Sequence, residues 1–401
     1  MATRVLIAAD KFKGSLTSSE AGRIIMEGLV SAWPLHMQEP EFDVIPFADG
    51  GDGSMKAFAE LYDKTGGALQ YIDCMASDAL GDLHACSYVM DGDKRKAFIE
   101  MASICGLAGI PRNLRNPMVT TSFGLGQVIA DAVLRGAEHI YIGIGGSASN
   151  DGGAGMLQAL GVDFYFTGGH VPNNVKGYIA GGDLSELQSM DISGLVLNGK
   201  NISITAVCDV TNPLLGENGA TYVFGPQKGG SEEMLFLLEK GMANYAAKSS
   251  EVFNEKDPSG AFCDFAGAGA AGGAGFALGK FLGGGMACGF DFFAGLSCLR
   301  EKIEGADLVI TGEGRFDRQS LMGKVTGQVM KLSGCSGKKK AIICGTYDPE
   351  AISMFERECS SGSPEVISLE SLEPDLDKRM LMQESLLFGA ARLLAGHLSN
   401  L

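Results

Sequence analysis

The two ends of this 401-residue chain repeat one pattern, a short apolar run followed by an amphipathic helical segment, and that alternation constrains the fold most. Near the amino terminus the runs are residues 5–9 and 42–47; near the carboxyl terminus they are 307–311, 340–344 and 365–369. Runs this short, bounded by turn residues, suit strands buried on both faces rather than helices. Thr17 and Glu20 have the spacing of a capping box, and the helix they open carries Ala21, Ile24, Ile25, Gly28 and Leu29 on one face. Met55, Phe58 and Tyr62 line a second helix, and Met380, Leu387, Ala391, Leu394 and Leu398 line the last. Five strands alternating with helices predict an α/β fold, a doubly wound flavodoxin-like (Rossmann-like) parallel sheet.

The middle of the chain has a different texture. Residues 86–90 and 96–101 alternate about Asp91-Gly92 as a hairpin would, and 202–208 alternate like a half-buried strand. We therefore expect 75–288 to be an inserted mixed α/β domain. Residues 1–74 and 289–401 then form one discontinuous domain, with the active site in the cleft between the two.

The densest functional signal lies at 139–164. An apolar run through Ile140, Ile142 and Ile144 delivers the backbone to Gly145 and Gly146, where bare N–H groups can meet an anion. Gly143, Gly145 and Ala148 fit a dinucleotide fingerprint, with Asp163 about 20 residues on as the ribose ligand. That reading needs a helix to begin near Gly145 and to carry Gly152 and Gly153, at roughly 1 kcal/mol each relative to alanine. A longer loop ending at Asp151, with a helix over 153–160, avoids the cost.

Composition narrows the partners. A formal charge of −16 argues against nucleic acid, whose phosphates require clustered Lys and Arg, but leaves small anions open. The ten cysteines show no C-x-x-C pair and no zinc spacing, and read as reduced core residues. The amino terminus enters a strand at once, and no apolar run approaches membrane-spanning length. A soluble, cytoplasmic monomer or homodimer acting on small molecules is expected; Ser399-Asn400-Leu401 resembles a peroxisomal address without its basic residue, the alternative location.

Ligands of doubly wound sheets bind beyond the carboxyl ends of the strands, where strand order reverses. The segments that follow three flank strands are 10–16, with Asp10, Lys13 and Ser15; 48–54, with Asp49; and 312–324, with Arg315, Asp317, Gln319 and Lys324. In strand order 2-1-3-4-5 the first and third strands are neighbours, so Lys13 and Arg315 would face one crevice. Asp10 and Asp49 could equally cap a helix or turn. Asp209 follows the strand at 202–208 and suits a general base, a metal ligand, or an Asx turn before Pro213. The small-residue stretch 265–275 suits close helix packing or a hinge. No G-x-x-x-x-G-K-[ST] occurs, so a P-loop is excluded.

As a set, 10–16, 48–53, 116–124, 144–156, 208–219, 224–229, 267–275 and 312–324, in this order, resemble the type 1 glycerate kinase family. The chain departs from the pattern at Arg318, where a small acidic residue or glycine is expected, and at Ser320, where threonine is. The resemblance implies ATP-dependent, Mg²⁺-requiring phosphorylation of D-glycerate, with 2-phosphoglycerate the favoured product. It suggests glycerate bound by Asp10, Ser15, Arg315, Asp317 and Gln319, and ATP phosphates over Gly145, Gly146, Ser147, Ser149, Gly152 and Gly153. Asp49 or Asp151 would hold Mg²⁺, Lys13 and Lys324 would meet the transferring group, and Asp209 would be the base. A nicotinamide-dependent hydroxy-acid dehydrogenase, from the fingerprint at Gly143, and a non-catalytic nucleotide or sugar-acid binding regulator are the competing readings.

Overall fold

A computed structural model describes residues 3–12, 15–34, 38–93, 95–169, 172, 176–253, 265–335, 338–358 and 362–398. Lys13 and the carboxyl-terminal Ser399-Asn400-Leu401 lie outside the described residues. In chain order the described strands are β1 (Arg4–Ile7), β2 (Glu41–Val44), β3 (Gln70–Ser77), β4 (Leu83–Asp91), β5 (Lys96–Glu100), β6 (His139–Gly143) and β7 (Asp163–Phe166). They continue with β8 (Leu187–Asp191), β9 (Ser203–Val207), β10 (Gly285–Ala287), β11 (Leu308–Phe316), β12 (Lys339–Tyr347) and β13 (Glu365–Ser368).

The chain divides into two compact units, one formed by residues 1–48 and 290–401 and the other by 49–289. The first contains a five-stranded sheet in the order β13-β12-β11-β1-β2, with every pairing parallel. Numbered within the unit, that is the expected order 2-1-3-4-5, so β1 and β11 are neighbours although some 300 residues separate them, Val5 pairing with Leu308 and Ile7 with Ile310. The capping box forms: the Thr17 hydroxyl accepts the Glu20 N–H at 3.3 Å and the Glu20 carboxylate accepts the Thr17 N–H at 2.9 Å. The helix it opens, Ser18–Ala32, buries Ala21, Ile24, Ile25 and Leu29 against β1 and the last helix, Gln383–Leu398. Withdrawing each of Ile24, Ile25 and Leu29 from water contributes about 1.5–3 kcal/mol. Gly28 lets the two helices touch, since a Cβ there would lie 2.6 Å from the Phe388 carbonyl oxygen. Met380 does not join this core. It is 42% exposed, on a separate short helix, Leu376–Leu381, that ends at Met382 before the last helix begins.

The second unit is built on a six-stranded sheet in the order β10-β9-β6-β5-β4-β3. β10, β9, β6 and β5 run parallel, and the expected hairpin of β4 and β5 makes the other half antiparallel. β7 and β8 form a separate antiparallel pair.

The junction expected at 74/75 falls instead at 48/49, and the helix Ser54–Lys64 belongs to the second unit. Its Phe58 ring stacks on Phe98 of β5 at 4.8 Å, Tyr62 donates to the Asp91 carboxylate at 3.1 Å, and the Met55 N–H donates to Glu100 at 2.9 Å. The apolar face was legible in the sequence; which sheet it covers was not. The other junction falls at 289/290.

Candidate active site

Each sheet gathers polar loops at the carboxyl ends of its parallel strands. In the second unit the ends of β6 and β9 meet the 49–53 segment that leads into the helix Ser54–Lys64. The Gly145 N–H donates to the Gly50 carbonyl at 2.9 Å, and the Ile144 N–H donates to the Val207 carbonyl at 3.2 Å. The backbones approach so closely that a Cβ on Gly145 would lie 2.8 Å from the Gly51 Cα. Gly50 also has φ +84°, and a Cβ there would fall 2.0 Å from the Val207 carbonyl oxygen, so only glycine fits. Asp49, half-buried, accepts the Gly51 N–H at 3.1 Å in an Asx turn.

After β6 the chain runs without helix until Ala154, which opens the helix Ala154–Ala159. This excludes the dinucleotide reading, because that motif places a helix N-terminus directly behind its second glycine. Asp163 starts β7, in a different sheet from β6.

The structure divides the expected nucleotide-binding residues. Gly145 is half-buried, with its N–H spent on Gly50, and Gly146 is exposed. Ser147, Ser149, Gly152 and Gly153 are buried. The helix Ala270–Leu282 covers the last two: the Gly152 N–H donates to the Gly272 carbonyl at 2.9 Å, and a Cβ on Gly153 would lie 2.6 Å from that of Ala277. The small residues at 265–275 thus permit close packing, one of the readings given above.

Asp151 is fully buried and its carboxylate is committed. Oδ2 accepts from the Ser122 N–H and hydroxyl, both at 2.7 Å, and from the Gly155 N–H at 3.3 Å, while Oδ1 accepts the Gly153 N–H at 3.2 Å. Burial pushes its pKa up even against these bonds. Both oxygens of Asp151 thus accept hydrogen bonds from the protein and organise the loop. Beneath the same loop lies Lys228, which sequence reasoning passed over within 225–229. Only 2% exposed, its ammonium donates to the Ser147 hydroxyl at 3.1 Å and to the Ser149 carbonyl at 2.5 Å. Burial pulls its pKa down to about 8, against the attraction of Asp151.

Asp209 is exposed, and its Oδ1 accepts the Gly289 N–H at 2.6 Å and the Cys288 thiol at 3.2 Å. These two bonds tie the end of β9 to the segment after β10, and not to the turn before Pro213.

In the first unit, β11 runs on to Phe316, pairing Arg315 with Thr346, so 312–316 are strand and not loop as expected. Glycine at 312 made the run look finished. It is instead required for packing: a Cβ there would lie 2.1 Å from the Ile343 carbonyl oxygen. The Asp10 N–H donates to the Gly312 carbonyl at 2.8 Å, setting Asp10 beside β11. The Ser15 hydroxyl reaches Gln383. Arg315 is largely exposed and lies 3.4 Å from Asp317, whose other oxygen accepts the Gln319 N–H at 2.9 Å; Gln319 itself is exposed. Arg318, the departure from the family pattern, is paired with Glu350.

Glu313, unassigned in the sequence reading, is the buried acid of this edge. It is 4% exposed, with Oε2 3.8 Å from the Lys324 ammonium and Oε1 without a hydrogen-bond partner among the described residues. Burial pushes its pKa up to about 7, against the pull of the Ser320 hydroxyl and of Lys324.

The model of the glycerate kinase family matches residues 5–398. The chain belongs to the glycerate kinase family. It is 42% identical over 322 residues to glycerate 2-kinase of Escherichia coli, covering 80% of each chain, and 41% identical over 355 residues to glycerate kinase of Bacillus subtilis, covering 88% of this chain and 87% of that one. The crystal structure of a candidate glycerate kinase 2 from Salmonella typhimurium LT2 superimposes with a TM-score of 0.79 at 34% identity, covering 100% of this chain and 99% of that one. A glycerate kinase family member thus presents both loop sets, Asp10 with 313–324 in one unit and Asp49 with Gly145–Gly146 in the other. Among the described residues no helix is long and apolar enough to cross a membrane.

Proposed function

We propose that the protein transfers the γ-phosphoryl group of ATP to D-glycerate and forms 2-phosphoglycerate. The observation that carries this is the family match through residues 5–398, which takes in both polar edges, and the relative most indicative of product is named glycerate 2-kinase. On this reading Arg315 binds the glycerate carboxylate, its planar fork matching two oxygens at once. Asp10 and Gln319 hold the hydroxyls, and Asp317 and Ser15 fix the shape of that edge. The exposed backbone of Gly146 meets the phosphates of ATP, the Gly145 N–H being held by the Gly50 carbonyl, and Lys324, together with Lys13, neutralises charge on the transferring group.

A kinase magnesium needs only one or two carboxylates, because phosphate oxygens and water complete its shell. Asp49, with Asp52 in the same loop, offers that hard-oxygen set, whereas Asp151 does not. Bound there, Mg²⁺ would neutralise phosphate charge.

The test is ADP release by the purified chain with ATP and Mg²⁺ across a panel of small hydroxy acids, with phosphorus NMR of the product. Release dependent on D-glycerate, with a 2-phosphate resonance, is expected. ATP turnover indifferent to glycerate would refute the activity, and a 3-phosphate the product.

A further inference from the structure

We propose that Glu313 is the catalytic base that takes the proton of the attacking glycerate hydroxyl; the proposal rests on the kinase reading above. The step balances simply. The hydroxyl proton passes to a Glu313 carboxylate oxygen as the substrate oxygen forms its bond to the γ-phosphorus. The bond from that phosphorus to the β–γ bridging oxygen breaks, and ADP leaves with the electron pair.

Three observations carry it. Glu313 stands near the carboxyl end of β11, the middle strand of the sheet and the neighbour of β1 at the reversal of strand order, where ligands of this fold bind. Its Oε1 is buried and lacks a donor among the described residues, an arrangement that is costly in a finished core and reasonable where a substrate hydroxyl supplies the donor. Glycines flank it: Gly312 and Gly314 leave the strand without side chains on either side, and a Cβ on neighbouring Gly345 would lie 2.3 Å from the Gly314 carbonyl oxygen. The acid is therefore held on a tightly packed backbone and not on a mobile loop.

The electrostatics agree with the geometry. The charged or titratable groups acting on Glu313 are Lys324, which favours its ionised form, and Asp10, which disfavours it; the Cys344 thiol of β12 is buried nearby and is pushed up to about 12, by burial first and the Glu313 charge second. With Glu313 itself raised to about 7, a substantial fraction is ionised at neutral pH and the carboxylate is basic enough to accept a hydroxyl proton as the transition state forms. Asp209 is a poorer candidate, with one oxygen already taken by the Gly289 N–H and the Cys288 thiol.

The experiment uses the full chain. Glu313→Gln keeps size and shape and removes the base; kcat should fall about 100-fold or more, with KM for glycerate and for ATP within about threefold of the parent. In the parent, kcat should decline tenfold per pH unit on the acid side of an apparent pKa near 7, and the residual rate of the variant should lack that limb. A variant within threefold of the parent in kcat, a loss confined to glycerate KM, or a parent profile flat from about pH 5.5 to 8 would overturn the assignment. If the variant does not fold, the parent's pH profile decides. Absence of any glycerate-dependent ADP release by the parent overturns the kinase reading, and the base assignment with it; a parent that turns over glycerate while either base test fails overturns the base alone.

Discussion

Asp151→Ala separates a structural carboxylate from a metal ligand. The substitution strips the acceptor from four donors: the N–H groups of Ser122, Gly153 and Gly155 and the Ser122 hydroxyl, all inside a site with no solvent exposure at Asp151. A buried donor left without a partner costs about 1–3 kcal/mol. The bonds at 3.2 and 3.3 Å are long and contribute least, so the two at 2.7 Å dominate. An opposing contribution comes from the charge, since burial already holds the carboxyl above its ordinary range and its removal returns part of that cost. We expect a net loss of about 3 kcal/mol for Asp151→Ala, and about half of that for Asp151→Asn, which keeps one acceptor oxygen. The sign with pH follows from the raised pKa. The native state holds the Asp151 proton more tightly than the unfolded chain, so this group's contribution is full at low pH and is lost as pH rises through the folded value; Asp151→Asn should remove that dependence.

Two compact units need not unfold in one step, so the readout must tell them apart. The single tryptophan, Trp33, lies in the first unit, edge-on to Phe42 at 6.2 Å. Tryptophan fluorescence in urea then reports the first unit, and far-ultraviolet circular dichroism reports both. Asp151→Ala should pull the dichroism transition to lower urea and leave the fluorescence midpoint in place. An unchanged dichroism midpoint, accompanied by a raised Mg²⁺ requirement for turnover, would refute the structural role and restore Asp151 as a metal ligand.

Other expected outcomes follow from the same geometry. Lys228 titrates near 8 in the folded state against 10.5 ordinarily, so between those values the unfolded chain binds more protons and stability rises with pH, by up to about 3 kcal/mol; urea midpoints measured from pH 7.5 to 10 should show the rise in the parent and not in Lys228→Met, and a parent slope of the opposite sign would contradict it. Asp49→Asn should raise the Mg²⁺ concentration for half-maximal rate about tenfold with little change in glycerate KM, and unaltered Mg²⁺ dependence would remove Asp49 from the ion site.

Local signals were read correctly wherever the physics is local. The capping box at Thr17, the hairpin at Asp91-Gly92 and the five flank strands depend on residues within a few positions of one another. The failures share a cause. Glu313 was overlooked because Gly312 was taken as the end of a strand that in fact continues, held by pairing with β12. Asp151 was one of two acids offered for Mg²⁺, because the sequence shows an acid in a glycine loop and not the Ser122 backbone, 29 residues earlier, that closes on it. The helix Ser54–Lys64 showed its apolar face, but its owner is Phe98 of β5, reached only through the fold.

The sequence by itself determined the α/β class, the alternation of the flank strands with helices and the family to which the loops belong, because periodicity, caps and motif order are written along one dimension. Tertiary structure alone decided which of the polar residues are buried and bonded inside the protein and which are exposed. Burial and orphaned hydrogen-bonding capacity depend on what distant segments bring to the same point. Thus both oxygens of Asp151 and one of Asp209 accept from backbone N–H groups, while Glu313, 3.8 Å from Lys324 and repelled by Asp10, has an Oε1 without a hydrogen-bond partner among the described residues.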